Sequence, residues 1–118
     1  MTIFFYKEFG EYGYLATYYD RGFIKDKIFY KTSEHYYQSK KFKDTNLVKS
    51  ILKCNTPKEA SIIGRDRNNK LRKNWKLIKC DIMYDAVLYK FLNNNDLREK
   101  LISTNEEYIV KETVKENF

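Results

Sequence analysis

The sequence predicts an α+β fold: a compact, mostly helical single domain, residues 1–118, with a small β-sheet. Three observations carry this. Apolar residues recur at helical spacing through most of the chain after residue 32. The strand-like runs are few, short and confined to residues 2–6, 22–30 and 107–112. A length of 118 residues, with 42% apolar and 33% charged side chains, suits one modest core. No linker, repeat or low-complexity segment divides it, and only one proline and four glycines occur.

The elements follow in order. "TIFFY" at 2–6 reads as a buried strand and "EFGEYGY" as a loop. "GFIKDKIFY" reads as two short strands around a turn at 25–27. "TSEHYYQSKKF" at 32–42 is a helix capped by Thr32 or Ser33. "DTNLVKSILKC" is a second helix, with Leu47, Val48, Ile51 and Leu52 on its apolar side. In "NTPKEASIIGR", Thr56 caps, Pro57 takes the first helical position, Glu59 stands at the capping-box position and Gly64 ends the helix. A basic loop, residues 65–75, leads into the longest helix, whose inward face holds Leu77, Ile78, Ile82, Ala86 and Tyr89. Asn95 caps a short helix through Leu101, and "EYIVKE" is a last strand. The strands make one sheet of two or three members.

Composition narrows the function classes. No apolar run approaches the roughly 20 residues of a membrane span, and the acids near the N-terminus argue against a signal peptide. The expected compartment is therefore cytoplasmic. Cys54 and Cys80 form no C-x-x-C and the chain has a single histidine, so no metal site is expected; both read as small buried or half-buried residues. The net charge of +7 favours an anionic partner, nucleic acid or a phosphate-bearing small molecule. A lysine-rich solvated surface accounts for the same charge.

Candidate chemistry concentrates on two stretches. In the helix after Thr32, Glu34, Gln38 and Lys41 share one face, framed by tyrosines. The plain alternative is a first-turn acid favoured by the helix dipole, with Gln38 and Lys41 solvated. Trp75, the one tryptophan, follows Arg65, Arg67, Arg72 and Lys73, an arrangement that suits phosphate binding beside a stacking platform. A tryptophan that anchors the long helix in the core explains it as well. No phosphate loop, dinucleotide fingerprint, metal cluster or nucleophile triad is present.

Five stretches together are more specific: "TSEHYYQSKKF" (32–42), "TPKEASIIGRDR" (56–67), "LRKNW" (71–75), "CDIMYDAVLYKF" (80–91) and "LREKLISTNEEYIVKE" (97–112). In order and spacing they resemble the NADAR family, whose pattern runs T-S-E-H-Y-x-Q-x-x-K-F, P-x-x-A-x-x-x-G-R, R-x-x-W and M-x-x-A-x-x-x-K-F. The resemblance spans roughly residues 3–118 and implies a compact, mostly helical α+β domain. It also implies N-glycosidase chemistry. Known members cut a C1′–N bond on a ribose phosphate, either in early phosphorylated intermediates of riboflavin synthesis or in ADP-ribosylated guanine of DNA.

By the same resemblance, Glu34 is an active-site carboxylate, Lys41 a contact for phosphate or ribose hydroxyl, and Trp75 a pocket wall for base stacking. Arg65 and Arg72 become phosphate candidates, with Gln38 beside Glu34. The family's F-S-N-F-like stretch is "LATY" here, which puts Thr17 and Tyr18 at ligand-facing positions with a shorter hydroxyl in place of an asparagine amide. Tyr30-Lys31 stands where the family has W-P. Glu116 matches an assisting acid of the family, while the glycine-rich loop and last helix that follow it in the family have no counterpart in this sequence. The pocket is then expected to be more open, unless a second copy completes it in a homo-oligomer.

Two functions follow as expectations. One is hydrolysis of a ribosyl C1′–N bond on an ADP-ribose-type nucleotide, for example on ADP-ribosylated guanine in single-stranded DNA, without a cofactor. The other is a non-catalytic module, such as a phage-encoded anti-defence sponge, that sequesters an NAD-derived nucleotide. Nucleic-acid binding without chemistry is a third reading of the charge.

Overall fold

The computed structural model describes residues 2–111. Its organising element is α1 (Ser33–Ser39). Thr32, in extended backbone, caps it by accepting the His35 N–H through Oγ1 at 3.2 Å. Three further helices surround α1: α2 (Thr45–Lys53), α3 (Pro57–Arg65) and α4 (Trp75–Asn93). Asp44 caps α2 by accepting the Asn46 and Leu47 N–H groups, and Thr56 caps α3 by accepting that of Glu59, with Pro57 in the first turn. A last helix, α5 (Asn95–Ser103), packs on α4.

The strands form two separate pairs rather than one sheet. The first, β1 (Thr2–Phe5), lies parallel to the last, β4 (Tyr108–Lys111), in the register Thr2↔Tyr108. The others, β2 (Phe23–Lys25) and β3 (Ile28–Tyr30), make an antiparallel hairpin. Asp26 and Lys27 both take positive φ, 51° and 68°, which is what a two-residue turn needs to match the strand twist. The stretch expected as a loop near residue 13 contains a short 3-10 turn, Gly13–Leu15.

Three apolar clusters form the core. Phe23, Tyr30, Tyr36 and Ala86 join the hairpin to α1 and α4. Phe42, Ile51, Cys54 and Ala60 join α2 to α3. Tyr14, Phe91 and Leu97 hold the 3-10 turn against α4 and α5.

Several expectations need correction. Gly64 does not end α3; the helix runs through Arg65, and Gly64 lies buried where α3 meets α1. Leu77 is 83% exposed. Trp75 takes the inward position at the start of α4, so Leu77, two residues on, is carried to the outer face. Of β1 only Ile3 is buried, because alternate side chains of a two-stranded ribbon face outward. Asn95 is the first residue of α5, not its cap. The cap position is Asn94, whose NH2 donates to Gly22 O and Lys90 O and whose Oδ1 accepts from Arg21 instead of from an N–H of the first turn. Cys54 is buried as expected, whereas Cys80 is exposed on α4.

Candidate active site

Consecutive residues of α1 point about 100° apart, towards different neighbours. His35 is fully buried against α2. Its Nε2 lies 2.9 Å from the Cys54 carbonyl and its Nδ1 lies 2.8 Å from Thr32 Oγ1. A carbonyl only accepts, so Nε2 carries the proton and Nδ1 accepts from the Thr32 hydroxyl. Burial pushes the His35 pKa below the usual imidazole range, against the opposing pull of the Cys54 carbonyl. The sole histidine is therefore part of the scaffold. Ser33 does similar work towards α4, donating to Ala86 O at 2.7 Å.

Glu34 turns the other way and is 5% exposed. Its Oε2 accepts from the Thr17 hydroxyl at 2.8 Å, and its Oε1 from Gln38 Nε2 at 2.7 Å and, more weakly, from Ser61 Oγ at 3.4 Å. Its own N–H donates to Thr17 O at 3.1 Å. All three side-chain neighbours are donors, the arrangement that suits a carboxylate, which only accepts. The i, i+4 spacing on α1 brings Gln38 to Glu34.

The same bond fixes the Gln38 amide. With its NH2 on the carboxylate, Oε1 points at α3, against Gly64, where it is buried with no hydrogen-bond partner. A Cβ on residue 64 would overlap that oxygen, so the close approach of α3 to α1 depends on glycine. Gly64 also supplies the carbonyl that accepts from Lys41 Nζ at 3.3 Å. Burial lowers the Lys41 pKa; Glu34 acts in the opposite sense and Arg65 adds to the lowering.

An aromatic wall completes the cluster. Lys41 Nζ lies 5.5 Å from the Tyr37 ring centre, and Tyr37 meets Trp75 edge to face at 5.2 Å. Burial, then the Glu34 charge, raises the Tyr37 pKa. Trp75 is buried at the start of α4, which its position as core anchor also explains. Arg72 holds the C-terminal end of α1: its N–H donates to Lys41 O at 2.8 Å and its Nε to Lys40 O at 3.0 Å. Arg65 is the exposed last residue of α3. Tyr18 follows Thr17, half-buried. Glu116 lies outside the described residues.

Thus Thr17, Glu34, Gln38, Lys41 and Arg65 fall in one neighbourhood, with Trp75 joined to it through Tyr37. One member, Ser61, is not among the residues to which the sequence points; it shares a helical face with Pro57 and Gly64, and its small size beside a glycine is the signal available. Tyr37 is one of the tyrosines that frame the Glu34 face in the sequence, although an aromatic next to other tyrosines reads equally as core. Two shallow hollows elsewhere, one along Thr2 and residues 105–108, the other between Gly10, Glu11, Tyr14, Lys100 and Ser103, contain none of this cluster.

A buried glutamate lined by donors, with a lysine and an aromatic pair beside it, is a candidate acid-centred site on an α+β scaffold. The chain belongs to the NADAR family: the NADAR domain model matches residues 4–118. It is 39% identical to an N-glycosidase of Nostoc punctiforme, over 100% of this chain and 78% of that protein. It is 34% identical to the N-glycosidase YbiA of Escherichia coli, over 92% of this chain and 68% of that protein. A riboflavin biosynthesis protein of Vibrio vulnificus is 29% identical, over 98% of this chain and 32% of its own length. The NMR structure of the E. coli protein YbiA superposes with a TM-score of 0.88 at 34% identity, covering 95% of this chain and 67% of that one. Among the described residues, no helix is long and apolar enough to cross a membrane.

Proposed function

We propose that the chain is an N-glycosidase that hydrolyses the C1′–N bond of a ribosyl phosphate, with an ADP-ribose-type nucleotide as substrate class and ADP-ribosylated guanine as the example to test. The observation that carries this reading is Glu34, held on both oxygens by Thr17, Gln38 and Ser61. The names of the relatives as N-glycosidases support it.

Breaking a ribosyl C1′–N bond moves positive charge onto the sugar ring, and a carboxylate aligned in advance stabilises that charge more than it stabilises the ground state. Water then adds at C1′ as the base departs with the bonding pair, and a proton passes to the base. Three donors hold Glu34 in one orientation, so little reorganisation is needed as charge develops. Lys41 supplies an ammonium for a ribose hydroxyl or phosphate. Arg65 and Arg72 extend the positive charge for a diphosphate. The Tyr37 and Trp75 pair offers an apolar wall for the base. Glu116 enters as an assisting acid.

The test is incubation with ADP-ribosylated guanine in single-stranded DNA, NAD, cyclic ADP-ribose isomers and ADP-ribose, with products identified by mass spectrometry after denaturation. Cleaved ligand in excess over protein, and a loss on the order of 10³-fold in Glu34→Gln, is the expected result. Intact ligand, recovered at no more than one per chain, would make the chain a binding module instead.

A further inference from the structure

The strongest feature left over is a lysine in the wrong solvent. Lys90 of α4 is 0% exposed, and among the described residues its only cause of pKa perturbation is burial, which pushes it down to about 8. A buried ammonium is costly unless its protons are used. Lys90 Nζ donates to Tyr14 O at 2.7 Å and to Ala16 O at 3.0 Å. Both carbonyls belong to the segment that leads into Thr17. The next residue along is the one that grips Glu34 twice, with its carbonyl on the Glu34 N–H and its hydroxyl on Oε2.

Polar contacts flank this one a turn to either side, at Ala86 of α4 and at Asn94, the residue that ends it. Ala86 O receives the hydroxyl of Ser33, the neighbour of Glu34. Asn94 reaches Gly22 O, beyond the far end of the same segment. The Ala86 carbonyl, the Lys90 ammonium and the Asn94 amide thus tie α1 and the 14–22 segment to α4 and its C-terminal end. A methionine would fill the volume at 90 without the cost of desolvating a charge, so packing alone does not explain a lysine there.

We propose that Lys90 is a positioning residue for the Glu34 site: it fixes the 14–16 carbonyls so that Thr17 holds the carboxylate in its working orientation. Lys90 itself does not touch the substrate. The kinetic arm of the test rests on the glycosidase reading; the exchange arm does not.

The experiment compares Lys90→Met, Thr17→Val and the double variant on a single-stranded oligonucleotide carrying ADP-ribosylated guanine. Because a small displacement of an aligned group costs up to about a hundredfold, Lys90→Met should lower kcat by roughly ten- to a hundredfold with KM little changed. The double variant should be no slower than the slower single one, and additive losses overturn the proposal. Amide hydrogen exchange is read on the same proteins. The Glu34 N–H should exchange at least about tenfold faster in Lys90→Met while the Ile51 N–H in α2 keeps its protection. Uniform acceleration would mean that Lys90 only stabilises the fold, and would overturn the proposal.

If Lys90→Met does not fold, the unsubstituted protein decides by NMR. The Thr17 and Glu34 amide shifts should move with the Lys90 side chain through a shared midpoint near its pKa of about 8. Titration of Lys90 with both amides unmoved overturns the proposal. If the unsubstituted protein leaves the oligonucleotide intact, the glycosidase reading with this substrate fails, while the exchange and titration results still decide the role of Lys90.

Discussion

Replacing Gly64 with alanine separates two effects of opposite sign. Glycine inside a helix is worth about 1 kcal/mol less than alanine, so on propensity alone Gly64→Ala should stabilise α3. The packing says otherwise. A methyl at 64 overlaps Gln38 Oε1 and comes within 2.7 Å of Cδ and 3.0 Å of Cβ. Swinging the amide away clears the first two contacts but breaks the bond to Glu34 Oε1, a charge-assisted hydrogen bond worth about 1.5–3 kcal/mol. The Cβ contact persists unless α1 and α3 move apart, and forcing a methylene into a packed core costs about 1–3 kcal/mol. These costs overlap, and with the propensity gain deducted a net loss of about 1–3 kcal/mol is expected. Urea unfolding should show the midpoint falling with an unchanged slope. Turnover should fall too, because Glu34 loses a donor. Truncating Gln38 first, as Gln38→Ala, should shrink the cost of Gly64→Ala. A more stable Gly64→Ala protein would refute the argument that glycine is there for Gln38.

Three further outcomes follow. His35 is neutral when folded and its pKa is depressed, so its contribution is complete above the unfolded value of about 6.5 and is lost as pH falls through the folded value. Below about pH 6.5 the urea midpoint should decline, and His35→Gln, less stable at pH 7, should flatten that decline. Lys31 Nζ donates to the carbonyls of Lys53 and Cys54 at the C-terminal end of α2, so Lys31→Met should cost about 0.3–1 kcal/mol in the same assay, less in high salt. Trp75→Leu should raise KM for the ADP-ribosylated oligonucleotide by the equivalent of about 1–3 kcal/mol of stacking, and Trp75→Phe by less; equal KM values would remove Trp75 from the binding wall.

Features written in local chemistry were legible in the sequence. Thr56 followed by Pro57 announces the start of α3, and the Thr32 side chain announces that of α1, because a cap acts on backbone N–H groups only a few residues away. The Glu34–Gln38 pair follows from helical period alone. What the sequence concealed depends on partners distant along the chain. A glycine near the end of a helical pattern looks like a terminator whether it ends the helix or admits a neighbour, and Gly64 is of the second kind. Leu77 fits the apolar period as well as Ile82 does; only the inward placement of Trp75 shows which side of α4 faces the core. The pairing of β1 with β4 joins the two ends of the described chain, with no turn to signal it. The family resemblance pointed to Thr17, but the bond it makes belongs to the folded loop, tethered to α4 by Lys90.

The edge-to-face contact of Trp75 with Tyr37 has a practical corollary. Trp75 is the only indole in the chain, so excitation beyond the tyrosine band lights one residue, and that residue adjoins the proposed seat of the base. Quenching by a nucleobase would report occupancy without a label, and stopped-flow traces would separate arrival of the ligand from any later step. The exposed thiol of Cys80, on the first turns of the same helix, offers an attachment point for an acceptor dye. Emission from Trp75 would then be a local signal from the wall of the site, with no background from indoles elsewhere.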